Sequence, residues 1–207
     1  MNKKRTHALA KEGYWYGENV QIGKDVIIQP GSFIDHDVSI GDGSTILSGA
    51  RISNATLGSN CIIKQNAVIG GYGFTITNDE FGNRMRIPSL GKVLIGDTVE
   101  IGSFSTVCCG SGNDTVIGNY VKIDDHVHIG HDIRIGSNVE ITAGSIIGGY
   151  CLIKENCFIG LNATTKNRIV IGENTVIGMG SVVTQNVDDN MTVFGNPARI
   201  LRAPKTI

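Results

Sequence analysis

The stretch IGNYVKIDDHVHIGHDIRIGSNVEITAGSIIGGYCLIKENCFIGLNAT, residues 117–164, decides the fold. Every sixth residue is isoleucine: Ile117, Ile123, Ile129, Ile135, Ile141, Ile147, Ile153 and Ile159. Four residues after each stands a small or apolar side chain: Val121, Val127, Ile133, Val139, Ser145, Cys151, Cys157 and Ala163. Glycine follows five of the eight isoleucines. An α-helix repeats its apolar face about every 3.6 residues and a half-buried strand every second residue, so neither holds one residue type at every sixth position. A six-residue period is the signature of a parallel β-helix. Three hexads make one triangular coil of 18 residues, and the isoleucines stack coil upon coil into a narrow apolar core.

Working outward, the same register runs upstream through Ile22, Ile28, Ile34, Ile40, Ile46 and Ile52, slips by one residue to Leu57, and continues through Ile63 and Ile69. It resumes at Ile95, Ile101 and Val107, and downstream it skips a beat at Thr165 before Ile171, Ile177 and Val183. The count predicts an all-β chain of roughly eight coils. Corners rich in Gly, Asn and Asp tolerate the backbone angles that such turns need. The expected organisation is a lead-in and cap over 1–17, a β-helical domain over 18–187 and a capping tail over 188–207. Gly13-Tyr-Trp-Tyr-Gly17 holds the only Trp. It reads as a plug over the open first coil, which needs a cap, or as a stacking platform for a base or sugar.

Two segments break the period. Residues 70–91 carry no hexad register, and a long structureless loop in a compact fold is usually functional. Its Tyr72, Phe74, Phe81, Arg84 and Arg86 suit a sugar or phosphate-bearing ligand. The segment also fits a strap against a neighbouring subunit. The second break is the small insertion Gly110-Ser-Gly-Asn113.

The formal net charge of −1 and the absence of a Lys/Arg block argue against nucleic acid as the main partner. Only the ends are basic, at Asn2-Lys-Lys-Arg5 and at Arg199, Arg202 and Lys205. There is no apolar h-region at the N-terminus and no apolar run of membrane-spanning length, so a cytoplasmic protein is expected. The five cysteines lack a Cys-x-x-Cys spacing and read as reduced and structural, Cys61, Cys151 and Cys157 at inward small positions. A catalytic thiol at Cys108 or Cys109 is the sharper reading.

A repeat array carries no chemistry of its own, so function resides in residues that break its pattern. Histidine is the informative type. His36 and His131 each stand two positions after an array isoleucine and precede Asp, a place near a corner that points outward. His131 is set apart by its neighbours: Asp124, Asp125, His126, His128 and Asp132 crowd the same coil.

These residues carry a resemblance. Ile87-Pro-Ser-Leu-Gly-Lys-Val-Leu-Ile-Gly-Asp-Thr-Val-Glu-Ile-Gly102 and Val121-Lys-Ile-Asp-Asp-His-Val-His-Ile-Gly-His131 resemble the lipid A pathway N-acyltransferases. His131 through Gly195-Asn-Pro-Ala198 resembles the acetyltransferases of sialic acid and bacillosamine biosynthesis. Both are left-handed β-helix acyltransferases, and the likeness spans roughly residues 18–202. It implies transfer of an acyl group, acetyl above all, from coenzyme A to the amino group of a nucleotide-linked amino sugar in bacterial surface glycan synthesis, with no metal required. It implies His131 as general base, Asp132 as its orienting acid, and the Gly149 N–H, one full coil above, as oxyanion donor. It places Leu161 and Met179 along the coenzyme channel. Tyr72, Phe74, Arg84, Arg86, His126 and His128 are the candidates for acceptor binding. A direct attack of amine on thioester needs a base, an oxyanion donor and positioning, and no covalent enzyme intermediate. A homotrimer is expected, because flat prism faces close cleanly in a cyclic arrangement and the relatives' sites lie between subunits.

The chain departs from these relatives in two ways: Glu140 stands where bacillosamine-type enzymes carry a coenzyme-contacting His, and there is no room for their N-terminal nucleotide-binding domain. Two alternatives stay open. One is acylation of a sugar hydroxyl. The other is a γ-type carbonic anhydrase, suggested by the five-residue spacing of His126 and His131, although its third zinc ligand would fall at Leu90.

Overall fold

The computed structural model describes residues 5–201 and is all-β, a left-handed parallel β-helix. The basic residues Lys3, Lys4, Arg202 and Lys205 lie outside the described residues. Most strands are two residues long, and each hexad contributes one. Within a strand the array isoleucine points in and its predecessor points out, so the burial pattern of Lys122–Ile123, His128–Ile129 and Arg134–Ile135 is exposed then buried each time. Ile34, Ile46, Ile52, Ile63, Ile69, Ile101, Ile129 and Ile141 are fully buried. At about 1.5–3 kcal/mol for each such side chain, this column is the main source of stability in a chain with few aromatics.

Three sheets form the faces of the prism. Along the chain the first face (Trp15–Tyr16, Phe33–Ile34 and their successors) is followed by the second (Gln21–Ile22, Ser39–Ile40) and the third (Ile27–Ile28, Thr45–Ile46). Parallel pairing holds the array in register, as in Ile129↔Ile147 and Ile147's neighbours above and below. The irregularities are absorbed without loss of register: the slip pairs Ile40 with Leu57, and the long excursion pairs Ile69 with Val107. The corners are left-handed, at Asn60, Asn66, Asn138, Asn156, Asn162 and Asn174 among others. Asn tolerates that conformation better than most residues.

The first and third faces each carry nine parallel rungs, one more than the roughly eight expected from sequence. The extra rung comes from the ends. Trp15–Tyr16 already pairs in parallel with Phe33–Ile34, and Thr192–Phe194 still pairs with Val176–Ile177. Each end then folds an antiparallel strand onto the last rung, Ala8–Leu9 at one end and Arg199–Ile200 at the other. These hairpins occupy sheet edges that would otherwise template further pairing. Trp15 is no plug, for it is 44% exposed on the outer surface; Tyr14 instead packs on the core below, as Met191 and Ala198 do above. Among the described residues no helix is long and apolar enough to cross a membrane.

Residues 70–91 are not structureless. Val68–Tyr72 extends the first-face strand along Thr106–Cys109, past a bulge between Ile69 and Gly71. Ile76–Asn78 and Arg84–Arg86 then form an antiparallel hairpin. Asp79 closes its turn, with Oδ1 accepting from the Phe81 N–H at 2.9 Å and the Asn83 N–H at 2.8 Å. The hexad pattern gave no sign of it because the hairpin lies outside the array.

Candidate active site

Both breaks in the period leave the prism at one edge, the corner between first and second faces. The hairpin excursion leaves after Val68–Tyr72, the Gly110–Asn113 insertion leaves after Thr106–Cys109 on the next coil, and His131 follows His128–Ile129 on the coil after that. The two insertions converge on His131.

From below, Asp132 sits in a left-handed backbone (φ 56°) that turns its carboxylate back toward the insertion. Its oxygens accept from the N–H groups of Ser111 (2.7 Å), Gly112 (3.0 Å) and Asn113 (2.7 Å). Oδ2 also lies 2.8 Å from His131 Nδ1. The Asp132 side chain is 1% exposed. Burial alone would raise its pKa, but the backbone donors and His131 outweigh it and hold the carboxyl below its usual range. An ionised Asp132 keeps the proton of a neutral imidazole on Nδ1 and leaves Nε2 with its lone pair.

From the side, the excursion lies against the ring. A Cβ on Gly73 would stand 2.8 Å from three ring and Cβ atoms of His131, so only glycine permits this approach. Covered in this way, the His131 side chain is 13% exposed rather than outward-facing as its hexad position suggests. Thr75 Oγ1 lies 3.3 Å from Nε2 and 2.8 Å from Ser111 Oγ. From above, a Cβ on Gly149 would stand 3.1 Å from Nε2, and Tyr150 meets the ring edge-on at 5.0 Å between centroids. Tyr150 and Arg168, which stacks on it at 4.1 Å, are both bulky residues in left-handed backbone (φ 60° and 64°).

These groups face a pocket of about 430 Å³ lined by Tyr72, Phe74, Arg86, Cys108, His128, Gly148, Gly149 and Asn167. Arg86 Nη1 donates to the Gly73 carbonyl at 3.0 Å and its guanidinium covers Phe74 at 5.1 Å. His128 Nδ1 is 2.7 Å from Thr106 Oγ1; burial, then the nearby His131, keep its pKa below the ordinary value. Burial pushes the Cys108 thiol up to about 11, the opposite of what a thiolate nucleophile needs.

The structure thus brings together His131, Asp132, Gly149, Tyr72, Phe74, Arg86 and His128. It separates others. Arg84 shares its hairpin strand with Arg86 but does not line the pocket, and Phe81 lies exposed at the hairpin tip. His126, Leu161 and Met179 occupy a different edge, between third and first faces, where His126 stacks on Phe104 at 5.3 Å. The two zinc-like histidines therefore do not converge. Sequence reasoning missed Thr75, Ser111, Tyr150 and Asn167. For Ser111 a signal existed: both interruptions follow first-face isoleucine or valine positions immediately before the His131 coil.

His36 occupies the equivalent corner near the N-terminus. Among the described residues, His7, Asp35 and His36 alone bring three potential metal ligands together. His36 Nδ1 accepts the Glu18 N–H at 2.7 Å, so a neutral imidazole carries its proton on Nε2, the nitrogen that faces Asp35. That tautomer offers no lone pair to an ion.

Two family models match the chain: bacterial transferase hexapeptide (six repeats), over residues 19–54, 37–71 and 114–149, and the hexapeptide repeat of succinyl-transferase, over residues 152–185. The UDP-3-O-acylglucosamine N-acyltransferase of Coxiella burnetii is 51% identical over 75 residues, which is 36% of this chain and 22% of that protein. The enzyme of the same name from Methylorubrum populi is 32% identical over 169 residues, 75% of this chain and 44% of its own length. The chain thus spans less than half the length of these curated relatives. In structure, it is similar to the UDP-N-acetylglucosamine acyltransferase of Francisella novicida, with a TM-score of 0.84 at 25% identity, covering 94% of this chain and 70% of that one. The corresponding protein of Campylobacter jejuni gives 0.83 at 24% identity, covering 94% and 74%, a likeness of fold. The two repeat models together match more than half of the chain, and with the observed β-helix they show that it belongs to the hexapeptide-repeat transferases.

Proposed function

We propose that the protein is an acyltransferase that moves an acyl group from a thioester donor to the amino group of a UDP-linked amino sugar. The observation that carries this reading is the Nε2 lone pair of His131, held in that tautomer by ionised Asp132 and aimed into a pocket walled by Gly149. A general base there takes the amine proton, and the Gly149 N–H receives the developing oxyanion. Arg86 and the exposed aromatics Tyr72 and Phe74 present charge and stacking surface to a nucleotide diphosphate. The sequence relatives named above support the amino group as acceptor. Acyl coenzyme A is the donor on this reading.

Leu161 and Met179 are 45% and 64% exposed on another edge of the prism. In a cyclic trimer, one protomer's His131 edge faces a neighbour's Leu161–Met179 edge, which places a donor channel between subunits. Light scattering tests this directly: a trimer is expected, and a monomer at micromolar concentration removes the shared channel.

The activity test presents purified protein with acetyl or longer acyl coenzyme A and UDP-linked 3-amino or 2-amino sugars, and follows thiol release. Release that requires the amino sugar is expected. Release with hydroxy sugars alone moves the reaction to oxygen. No acceptor-dependent release from coenzyme or carrier-protein thioesters overturns the reading.

A further inference from the structure

A base works only where the group it deprotonates can come within about 3 Å of it, and the space beside His131 Nε2 is already taken. Thr75 Oγ1 stands 3.3 Å from it, Gly73 packs on the ring, and Gly149 lies above. An acceptor amine reaches Nε2 only if one of these gives way. Gly149 belongs to the array: its carbonyl accepts the Arg168 N–H at 3.0 Å, and the Tyr150 N–H beside it donates to the His131 carbonyl at 2.9 Å. The excursion is bound more loosely. Its hairpin strands Ile76–Asn78 and Arg84–Arg86 pair only with each other. Segments tied down by few bonds and little burial are the ones that open first.

Gly73 owes its place to two bonds within the excursion. Its N–H donates to Ser89 Oγ at 3.1 Å, and its carbonyl accepts from Arg86 Nη1 at 3.0 Å. Arg86 is exposed, lines the pocket and covers the Phe74 ring at 5.1 Å. Among the described residues no carboxylate pairs with it. Its full charge is therefore met by one neutral carbonyl and one ring face. A phosphate offers the guanidinium two charged oxygens in the matching fork geometry, a much stronger bond.

We propose that Arg86 is a specificity-determining residue that couples recognition of the acceptor's phosphate to the uncovering of His131. The proposal rests on the acyltransferase reading for the identity of the acceptor. In the acceptor-free protein Arg86 clamps Gly73, and through it Thr75, over Nε2. A phosphate entering the pocket draws the guanidinium off Gly73 and Phe74, and the segment from Gly73 to Thr75 is then free to swing from the ring. A ligand shifts such an equilibrium only by its differential affinity for the two states. Phosphate has that preference, because Arg86 is spent on Gly73 in the covered state and available in the open one. Selection then acts on turnover as well as on binding. An amino sugar without phosphate occupies the pocket and still faces a covered base.

The test begins without turnover. Diethyl pyrocarbonate acylates a free imidazole nitrogen, and peptide mapping of the full chain follows its attack on His131. Inorganic pyrophosphate, the probe, is expected to speed that attack several-fold. In Arg86→Ala the attack is fast from the start and indifferent to pyrophosphate, and Arg86→Lys keeps part of the response. Protection of His131 by pyrophosphate, or no change, overturns the coupling. Kinetics then compare transfer from acetyl coenzyme A to glucosamine and to UDP-linked glucosamine. Arg86→Ala is expected to raise kcat for free glucosamine above wild type while lowering kcat/KM for the UDP-linked sugar. A change confined to the KM of the UDP-linked sugar marks lost binding alone; with free glucosamine no faster, Arg86 is an ordinary phosphate contact and the coupling is overturned. If neither sugar is acylated while pyrophosphate still uncovers His131, the coupling stands and the acyltransferase reading falls.

Discussion

His36-Asp37 and His131-Asp132 stand at the same corner of the same hexad, on the same edge of the prism, with Asp in left-handed backbone at φ 58° and 56°. Their side chains nevertheless do different things. Asp37 turns away from its histidine and pairs with Arg5, which pulls its carboxyl down to about 2, and His36 spends Nδ1 on the Glu18 N–H. Asp132 turns onto its histidine. The difference is the Gly110–Asn113 insertion, which offers three convergent N–H groups to Asp132, where the regular array offers one N–H at the equivalent corner, and that to His36. The same His-Asp pair at the same hexad position yields a solvated ion pair in one place and a poised base in the other. The chemistry belongs to the breaks in the repeat.

The sharpest way to break this comparison is to remove each histidine. His131→Ala is expected to lower kcat about 10²–10⁴-fold, the usual worth of a general base, while His36→Ala leaves it nearly unchanged. Equal losses would mean that the surroundings do not distinguish the two. Gly149→Ala comes next. Its backbone suits any residue, so the added Cβ, 3.1 Å from the imidazole, spends its cost on the ring. Steady-state kinetics should show kcat down about 10- to 100-fold with an unchanged melting temperature, since small misplacements at a reacting centre are that expensive.

The paired aspartates separate by stability. Asp132→Ala leaves three N–H groups without their acceptor, and a loss of about 1–3 kcal/mol is expected by chemical denaturation. Asp37→Ala removes an exposed pair and should barely move the midpoint. Within the excursion, Arg86→Ala should raise the acceptor KM several-fold and Arg84→Ala much less, because Arg86 alone of the two lines the pocket. Replacing the hairpin by a Gly-Ser turn should raise the same constant further; a change confined to the donor KM would reassign the excursion.

The smallest effect is with pH. The unfolded Asp132 carboxyl titrates near ~3.9, and the folded one lies lower. Its contribution is complete above the unfolded value and lost as pH falls through the folded one. The gap in melting temperature between wild type and Asp132→Asn should therefore be constant above about pH 5 and narrow below about pH 4. A gap independent of pH would mean that the charge is not what holds the insertion.

The sequence by itself determined the array. Side chains at every sixth position must share an interior, whatever the chain does elsewhere, so the column from Ile28 to Ile177 was legible residue by residue. It also set His131 apart by the company it keeps on its coil, while Gly149, one coil above, was named only through the resemblance to the acyltransferases. What only the tertiary structure decided is how the two interruptions lean. A period specifies the segments that obey it and is silent about those that do not, so Thr75 and Gly73 carried no signal of meeting Ser111 at one imidazole. His126, five residues from His131, rounds a different corner, as one corner per hexad requires, so sharing a coil does not bring the two together. Proximity along a triangular coil is set by which edge a residue occupies, and the edge beside His131 was rebuilt by segments the repeat does not govern.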